Sequence, residues 1–254
     1  MKISRRYLTY VLSALTAFCL GMLSATAESE RPANRMILLA AEIPGGFLKI
    51  EKGKGIGVYP DLFYEAAAAA EVDVTFRFVP WGRAFQRVES SDFLMTFPLT
   101  RLPEREGRYR WLVPLQQDQI VFVSIDKPIN SLNEARKLKR ILVWRGSSME
   151  IFLKKQRFEN LVPVGTTSSL IRMLQFGRGD AWFTVRPEND ELVTTGDRSV
   201  KFVSGAVINT ESVWLVGGKS FTHNDASRRF AASVASLVKR GRLKDLKSKY
   251  GLSK

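Results

Sequence analysis

Apolar and polar positions follow two different periods along this chain. Runs rich in β-branched and aromatic residues, bounded by Gly, Pro, Asn or Asp, predict strands at 36–42, 74–80, 93–99, 119–125, 140–146, 161–165, 181–186, 200–205 and 212–218. Between them the spacing turns helical. "PDLFYEAAAAAEV" opens at Pro60 and is rich in alanine, as at a helix start. "SLNEARKLK" sets Ser131 before Glu134 at capping-box spacing, and Ser147 before Glu150 repeats it after the strand that Gly146 ends. "SSLIRMLQFGRG" places Leu170, Met173 and Leu174 on one face and stops at glycine. "DASRRFAASVASLVKRGRLKDLKSKYG" carries apolar residues at three-and-four spacing and predicts one long last helix. Strands alternating with helices give an α/β class with mostly parallel sheet. Neither a repeat nor a low-complexity linker interrupts the pattern. So many strands exceed one short sheet, and "LNEARKLKR" followed by "ILVWRG" is a fresh start. Two lobes with a ligand between them are therefore expected.

The N-terminus changes the picture next. "MKISRRYLTYVLSALTAFCLGMLSATAESE" has a basic start, an apolar middle and the small-residue pattern Ala25-Thr26-Ala27, so residues 1–27 read as a secretory signal peptide cut after Ala27. No other stretch is apolar and long enough to span a bilayer. The expected location is the periplasm, with nothing embedded in the membrane after cleavage. Cys19, the only cysteine, lies inside the signal, and Phe18 before it is too large for lipid attachment. The remaining chain then has neither a disulfide nor a thiol nucleophile. His223 is the single histidine, which excludes triads of the Ser-His-Asp kind and most zinc sites. No metal, cofactor or catalytic residue is expected.

Formal charge is +14, and falls to +11 when Lys2, Arg5 and Arg6 leave with the signal. A basic surface suits nucleic acid, anionic membrane or acidic ligands; export argues against nucleic acid. "TFPLTRLPEREGRYRWLVPL" (96–115) concentrates Arg101, Arg105, Arg108 and Arg110 between two apolar segments. A guanidinium fork grips a carboxylate through two parallel charge-assisted bonds. The capped helix start at "RGSSMEI" offers free N–H groups and a dipole that attract anions.

The segments "GIGVYPDLFYEAAAAAEVDVTFRFVPWGRAFQRVES", "LTRLPERE", "VWRGSSMEIFL", "LIRMLQFGRGDAWF" and "LVKRGRLKDLKSKYG", in this order, resemble the extracytoplasmic solute-binding proteins of ABC uptake systems, the polar amino-acid (family 3) type. The resemblance implies the type II periplasmic binding protein fold. Lobe 1 would be 28–120 plus 213–254 and lobe 2 would be 121–212, with hinge strands near "QIVF" and "NTESV". It implies that Arg105 holds a ligand carboxylate, that the Thr100 hydroxyl assists, and that Ser147 and Ser148 present helix amides from the other lobe. Trp81 and Phe97 would lie at the cleft edge, where a ring covers the ligand, and Glu42 would meet a cationic group. Where amino-acid binders of this type carry an aspartate for the α-ammonium, this chain has Val185, and Leu102 replaces a frequent threonine. Either Glu42 or Glu188 substitutes, or the ligand is not a standard α-amino acid.

The expected function is non-catalytic capture of a small anionic or zwitterionic ligand bearing a carboxylate. The protein would act as a monomer, for an ABC permease or a sensor kinase. Two alternatives stand beside it: an enzyme on the same fold, similar to cyclohexadienyl dehydratase, with Glu42, Glu188 or lysines as acid and base; and an adhesion or signalling module using the basic surface.

Overall fold

The computed structural model describes residues 34–43, 46–125, 127–186 and 200–252. The expected signal peptide and Glu188 lie outside them. Strands are β1 (Arg35–Ala40), β2 (Lys49–Glu51), β3 (Lys54–Ile56), β4 (Asp73–Phe78), β5 (Leu94–Thr100), β6 (Tyr109–Ile125), β7 (Ile141–Trp144), β8 (Leu161–Val164), β9 (Ala181–Val185) and β10 (Phe202–Gly218). Helices are α1 (Val58–Ala69), α2 (Trp81–Glu89), α3 (Leu132–Arg136), α4 (Ser148–Lys155), α5 (Thr167–Gln175), α6 (Asp225–Lys239) and α7 (Arg242–Lys249), with a 3-10 turn at Pro103–Arg105.

One eight-stranded sheet runs β4-β1-β5-β10-β6-β9-β7-β8, and β2 with β3 forms a separate hairpin. The sheet is mixed: β1 pairs in parallel with β4 and β5, and β7 with β8 and β9, while β10 runs antiparallel to β5 and β6, and β6 to β9. At its centre are β6 and β10, 17 residues each. They pair from Tyr109–Gly218 at one end to Ile125–Phe202 at the other. The expected strands 200–205 and 212–218 are thus one strand, and 119–125 is the second half of another. Polar residues in "QQDQ" and "NTES" interrupt the apolar pattern but not the ladder. Gln117, Asp118 and Gln119 pair with Ser212, Glu211 and Thr210.

Side-chain alternation explains where the cores lie. On β1, Met36, Leu38 and Ala40 pack with Leu62, Phe63 and Ala66 of α1, Phe230 of α6 and Leu246 of α7, while Ile37 and Leu39 meet Ala84 and Val88 of α2 on the opposite face. A strand covered on both faces reads as a continuous apolar run, as "MILLA" does. Likewise Ile141 and Val143 of β7 join Leu153 of α4, while Leu142 meets Leu170 and Leu174 of α5. Each fully buried Leu or Phe stabilises the fold by about 1.5–3 kcal/mol. Core clusters use residues 36–115 and 213–252, or residues 120–208, and none combines the two sets.

Two local expectations change. Helix α2 went unread because only Ala84 and Val88 of "WGRAFQRVE" are buried. The single long last helix divides at Gly241, whose φ of +83° suits glycine, into α6 and α7.

Candidate functional site

Arg105 ends the 3-10 turn that follows β5. Its Nη1 donates to Thr100 O at 2.9 Å, which folds the side chain back over the strand end. Its Nη2 reaches Gly146 O at 3.5 Å, across to the start of α4. Among the described residues no carboxylate lies within ion-pair distance of this guanidinium. Burial pushes its pKa down, and the nearby Tyr109 and Glu211 pull the other way.

Helix α4 begins by local rules. Gly146 takes φ +75°, Ser147 caps with its hydroxyl accepting from Glu150 N at 3.2 Å, and Glu150 Oε2 accepts from Gly146 N at 2.7 Å. Glu150 also holds Lys154. These bonds keep its carboxyl below the usual range even though burial alone raises it. The amides of Ser148 and Met149 belong to the first turn and have no acceptor within the helix.

Between the turn and the helix stands Glu211, on the polar rungs of β10 and only 5% exposed. One carboxylate oxygen accepts from Thr100 Oγ1 at 3.2 Å and from the Ser148 hydroxyl, and the other from Asn209 Nδ2 at 3.5 Å. Thr100 Oγ1 and Ser148 Oγ are themselves 3.2 Å apart. Burial raises the Glu211 pKa; the hydroxyl bonds and the Arg105 charge oppose that without cancelling it. Further contacts join the same two sides. Lys155 of α4 pairs with Glu104 of the turn, and the indoles of Trp81 and Trp144 meet at 4.9 Å between centroids.

Of the residues singled out in the sequence, Arg105, Thr100 and Ser148 thus come together. Ser147 stands beside them, its hydroxyl committed to the cap. Trp81, on α2, packs on Trp144 and Phe85. Phe97 does not cover the site: it is 1% exposed and its ring packs on Tyr59, Phe63 and Phe76 in the core. Glu42 lies exposed at a separate concavity of about 320 Å³ with Ile50, Phe78 and Pro80, and accepts from Ile50 N at 3.3 Å. Val185 packs into the core beside β6. Glu211 and Trp144 were missed. The available signal for Glu211 was one acid set inside a strand-like run, "VINTESVWLVG".

Two other arginines of the stretch, Arg101 and Arg108, have partners of their own. The guanidinium of Arg101 contacts the rings of both Trp111 and Trp214 and pairs with Glu106, and Arg108 forks onto Glu89. Glu89 is held below the usual carboxylate range chiefly by that fork.

The family model of bacterial extracellular solute-binding proteins, family 3, matches residues 35–253. Solved structures share the fold at low identity. AbpA, an amino acid ABC transporter substrate-binding protein from Streptococcus pneumoniae bound to L-arginine, aligns with TM-score 0.72 and 16% identity, over 89% of this chain and 100% of that one. A mutant of ArgBP from T. maritima gives TM-score 0.72 and 17% identity, over 85% and 95%. A histidine kinase sensor domain with similarity to periplasmic binding proteins gives 0.73 and 18%, over 87% and 97%. No curated protein matches. The fold is thus the two-lobed, mixed α/β architecture of the periplasmic binding proteins, and no described helix is long and apolar enough to cross a membrane.

Proposed function

Because the chain belongs to the bacterial extracellular solute-binding proteins of family 3, we propose that it captures a small carboxylate-bearing ligand, an amino acid or a derivative, and delivers it to an ABC permease. The observation that carries this reading is Arg105: a partly buried guanidinium without a carboxylate partner among the described residues, aimed at the start of a capped helix. A ligand carboxylate between Arg105 and the Ser148 and Met149 amides receives charge-assisted bonds from both sides. Such a ligand binds the closed arrangement better than the open one, and that difference drives closure.

The lobes in this reading are 28–120 plus 213–254, and 121–212. The separation of the core clusters and the polar rungs of β6 and β10 support that division. The stacked Trp81 and Trp144 form the rim. The protein works as an exported monomer in the periplasm, after loss of residues 1–27, and without catalysis. AbpA, the binding protein of an amino acid ABC transporter, supports the import reading.

Calorimetry of the purified protein against the standard amino acids and simple carboxylic acids tests the reading. A carboxylate binder is expected, and Arg105→Ala is expected to weaken it by about 2–5 kcal/mol. A binder whose affinity survives that change refutes the site. Incubation with prephenate or arogenate is expected to give no turnover; turnover would favour the dehydratase-like alternative.

A further inference from the structure

Glu211 gives the site a second charge. Its carboxylate is 5% exposed, and its described partners are the neutral groups of Thr100, Ser148 and Asn209. No lysine or arginine among the described residues lies within ion-pair distance of it. Arg105, across the same contact, also has no carboxylate of its own among the described residues. Two opposite charges therefore stand at one contact without an ion pair between them, Glu211 buried and Arg105 half-buried, an arrangement that costs stability until each is met.

The nearby acids are committed elsewhere. Glu104 holds Lys155, Glu106 holds Arg101, Glu150 holds Gly146 N and Lys154, and Asp118, opposite Glu211 on β6, accepts from Gln116 Nε2 at 2.6 Å. Val185 makes the end of β9 apolar. Among the described residues at this contact, Glu211 is the acid that remains for a cation.

Building on the carboxylate reading above, we infer that Glu211 binds a cationic nitrogen of the ligand, so that this site selects zwitterions carrying a carboxylate and an ammonium a few bonds apart. The charge count supports it. With Arg105 positive and Glu211 negative, a zwitterion leaves the site neutral. A carboxylate without nitrogen adds an unmatched negative charge beside Glu211, and an amine without carboxylate adds a positive one beside Arg105. Hydroxyls both donate and accept. Once an ammonium occupies Glu211, Thr100 and Ser148 are free to turn toward the ligand carboxylate. The ligand enters by parting Thr100 from Ser148, which the polar rungs of β6 and β10 permit without opening either core.

The test uses matched probes. The best binder among the twenty L-amino acids is compared by calorimetry with its des-amino carboxylic acid and its decarboxylated amine, on the wild type, Glu211→Gln, Glu211→Asp and Arg105→Ala. The wild type is expected to prefer the amino acid by about 30-fold or more over either truncated probe. Glu211→Gln removes that preference from both directions: the amino acid binds more weakly, and the des-amino acid, no longer facing the Glu211 charge, binds more tightly than to the wild type. Glu211→Asp keeps the charge and the preference, and Arg105→Ala loses both carboxylates. Equal losses of amino acid and des-amino acid in Glu211→Gln assign Glu211 a structural role and overturn the inference. So does equal wild-type binding of the two carboxylates, or a panel in which no amino acid binds. If carboxylates survive Arg105→Ala, the carboxylate reading fails instead. Thermal melts identify a variant that has not folded, and Glu211→Asp then carries the comparison.

Discussion

Thr100 Oγ1 lies 3.2 Å from Ser148 Oγ, although 48 residues separate them in the chain. One ends β5 and the other opens α4, and Glu211 of β10 accepts from both. The same two segments touch again where Arg105 reaches Gly146 and where Lys155 pairs with Glu104. These are polar contacts, replaceable by a ligand's own polar groups. The cores on either side do not merge. In the proposed reading, opening would expose hydrogen-bonding groups and the Trp81–Trp144 rim while leaving both apolar cores closed.

The Trp81–Trp144 contact supplies an optical readout of that movement. The chain has five tryptophans, and only these two meet across the crevice among the described residues. Binding is expected to change intrinsic fluorescence, and Trp144→Phe is expected to remove most of the change. Trp144→Ala is expected to weaken binding about 2- to 12-fold, the value of a ring pair of about 0.5–1.5 kcal/mol. An unaltered fluorescence response in Trp144→Phe would exclude movement at this rim.

Two glycines separate stability from site geometry. Gly146 has φ +75° and open space around a hypothetical Cβ. Gly146→Ala therefore strains only the backbone, by about 1–2 kcal/mol. That lowers Tm by roughly 2–8 °C for a chain of this size and displaces the Ser148 amide, so affinity falls as well. Gly57, with φ +132°, would place a Cβ 2.5 Å from Gly46 O and 2.8 Å from Phe47 O. Gly57→Ala is expected to cost about 2–4 kcal/mol with ligand affinity unchanged in the folded fraction. Equal effects of both substitutions on affinity would contradict the placement of the site.

Adjacent serines divide in the same way. The Ser147 hydroxyl is taken by Glu150 N, so Ser147→Ala loses a cap worth about 1 kcal/mol and shows itself in the melting curve. The Ser148 hydroxyl faces Thr100 and Glu211, so Ser148→Ala is expected to show itself in affinity. Melting and calorimetry on the pair check this, and a Ser147→Ala variant that binds as poorly as Ser148→Ala contradicts it.

What the sequence made legible was local. A strand end followed by Thr100 and Arg105, and a helix opened by Gly146, Ser147 and Glu150, each follow from a few neighbouring residues. Their meeting is not local, and only the family resemblance implied it. Glu211 stayed hidden because "NTES" reads as a polar break between two short strands. Its burial follows from the pairing of β10 with β6 and β5, which carries the break through the middle of the sheet. Phe97 shows the reverse: an apolar residue near a strand end suits a ligand lid or a core equally, and only the rings around it decide. Helix α2 was unreadable because so little of its surface is buried.

Glu211 also sets a pH dependence whose sign can be worked out. Burial raises its pKa in the folded protein, with Arg105 the charged group opposing the shift. An acid raised on folding binds its proton more tightly in the native state. It adds no penalty below the unfolded carboxylate pKa, and destabilises the fold progressively as pH rises through the unfolded and then the folded value. Glu211→Gln keeps hydrogen-bonding groups there without that charge. The variant is therefore expected to gain stability relative to wild type as pH increases from about 4 toward neutrality, measured by thermal unfolding of the ligand-free protein at low and neutral pH. Glu89 behaves in the opposite sense. Held down by Arg108, it stabilises the fold above the unfolded pKa and loses that contribution as pH falls through its folded value. The Arg108 pair is solvent-exposed, so its share is small. A Tm difference between Glu211→Gln and wild type that stays flat with pH, or shrinks toward neutrality, would show that Glu211 is ionised in the folded state at no cost. The unmatched charge at the centre of the site would then have no energetic basis.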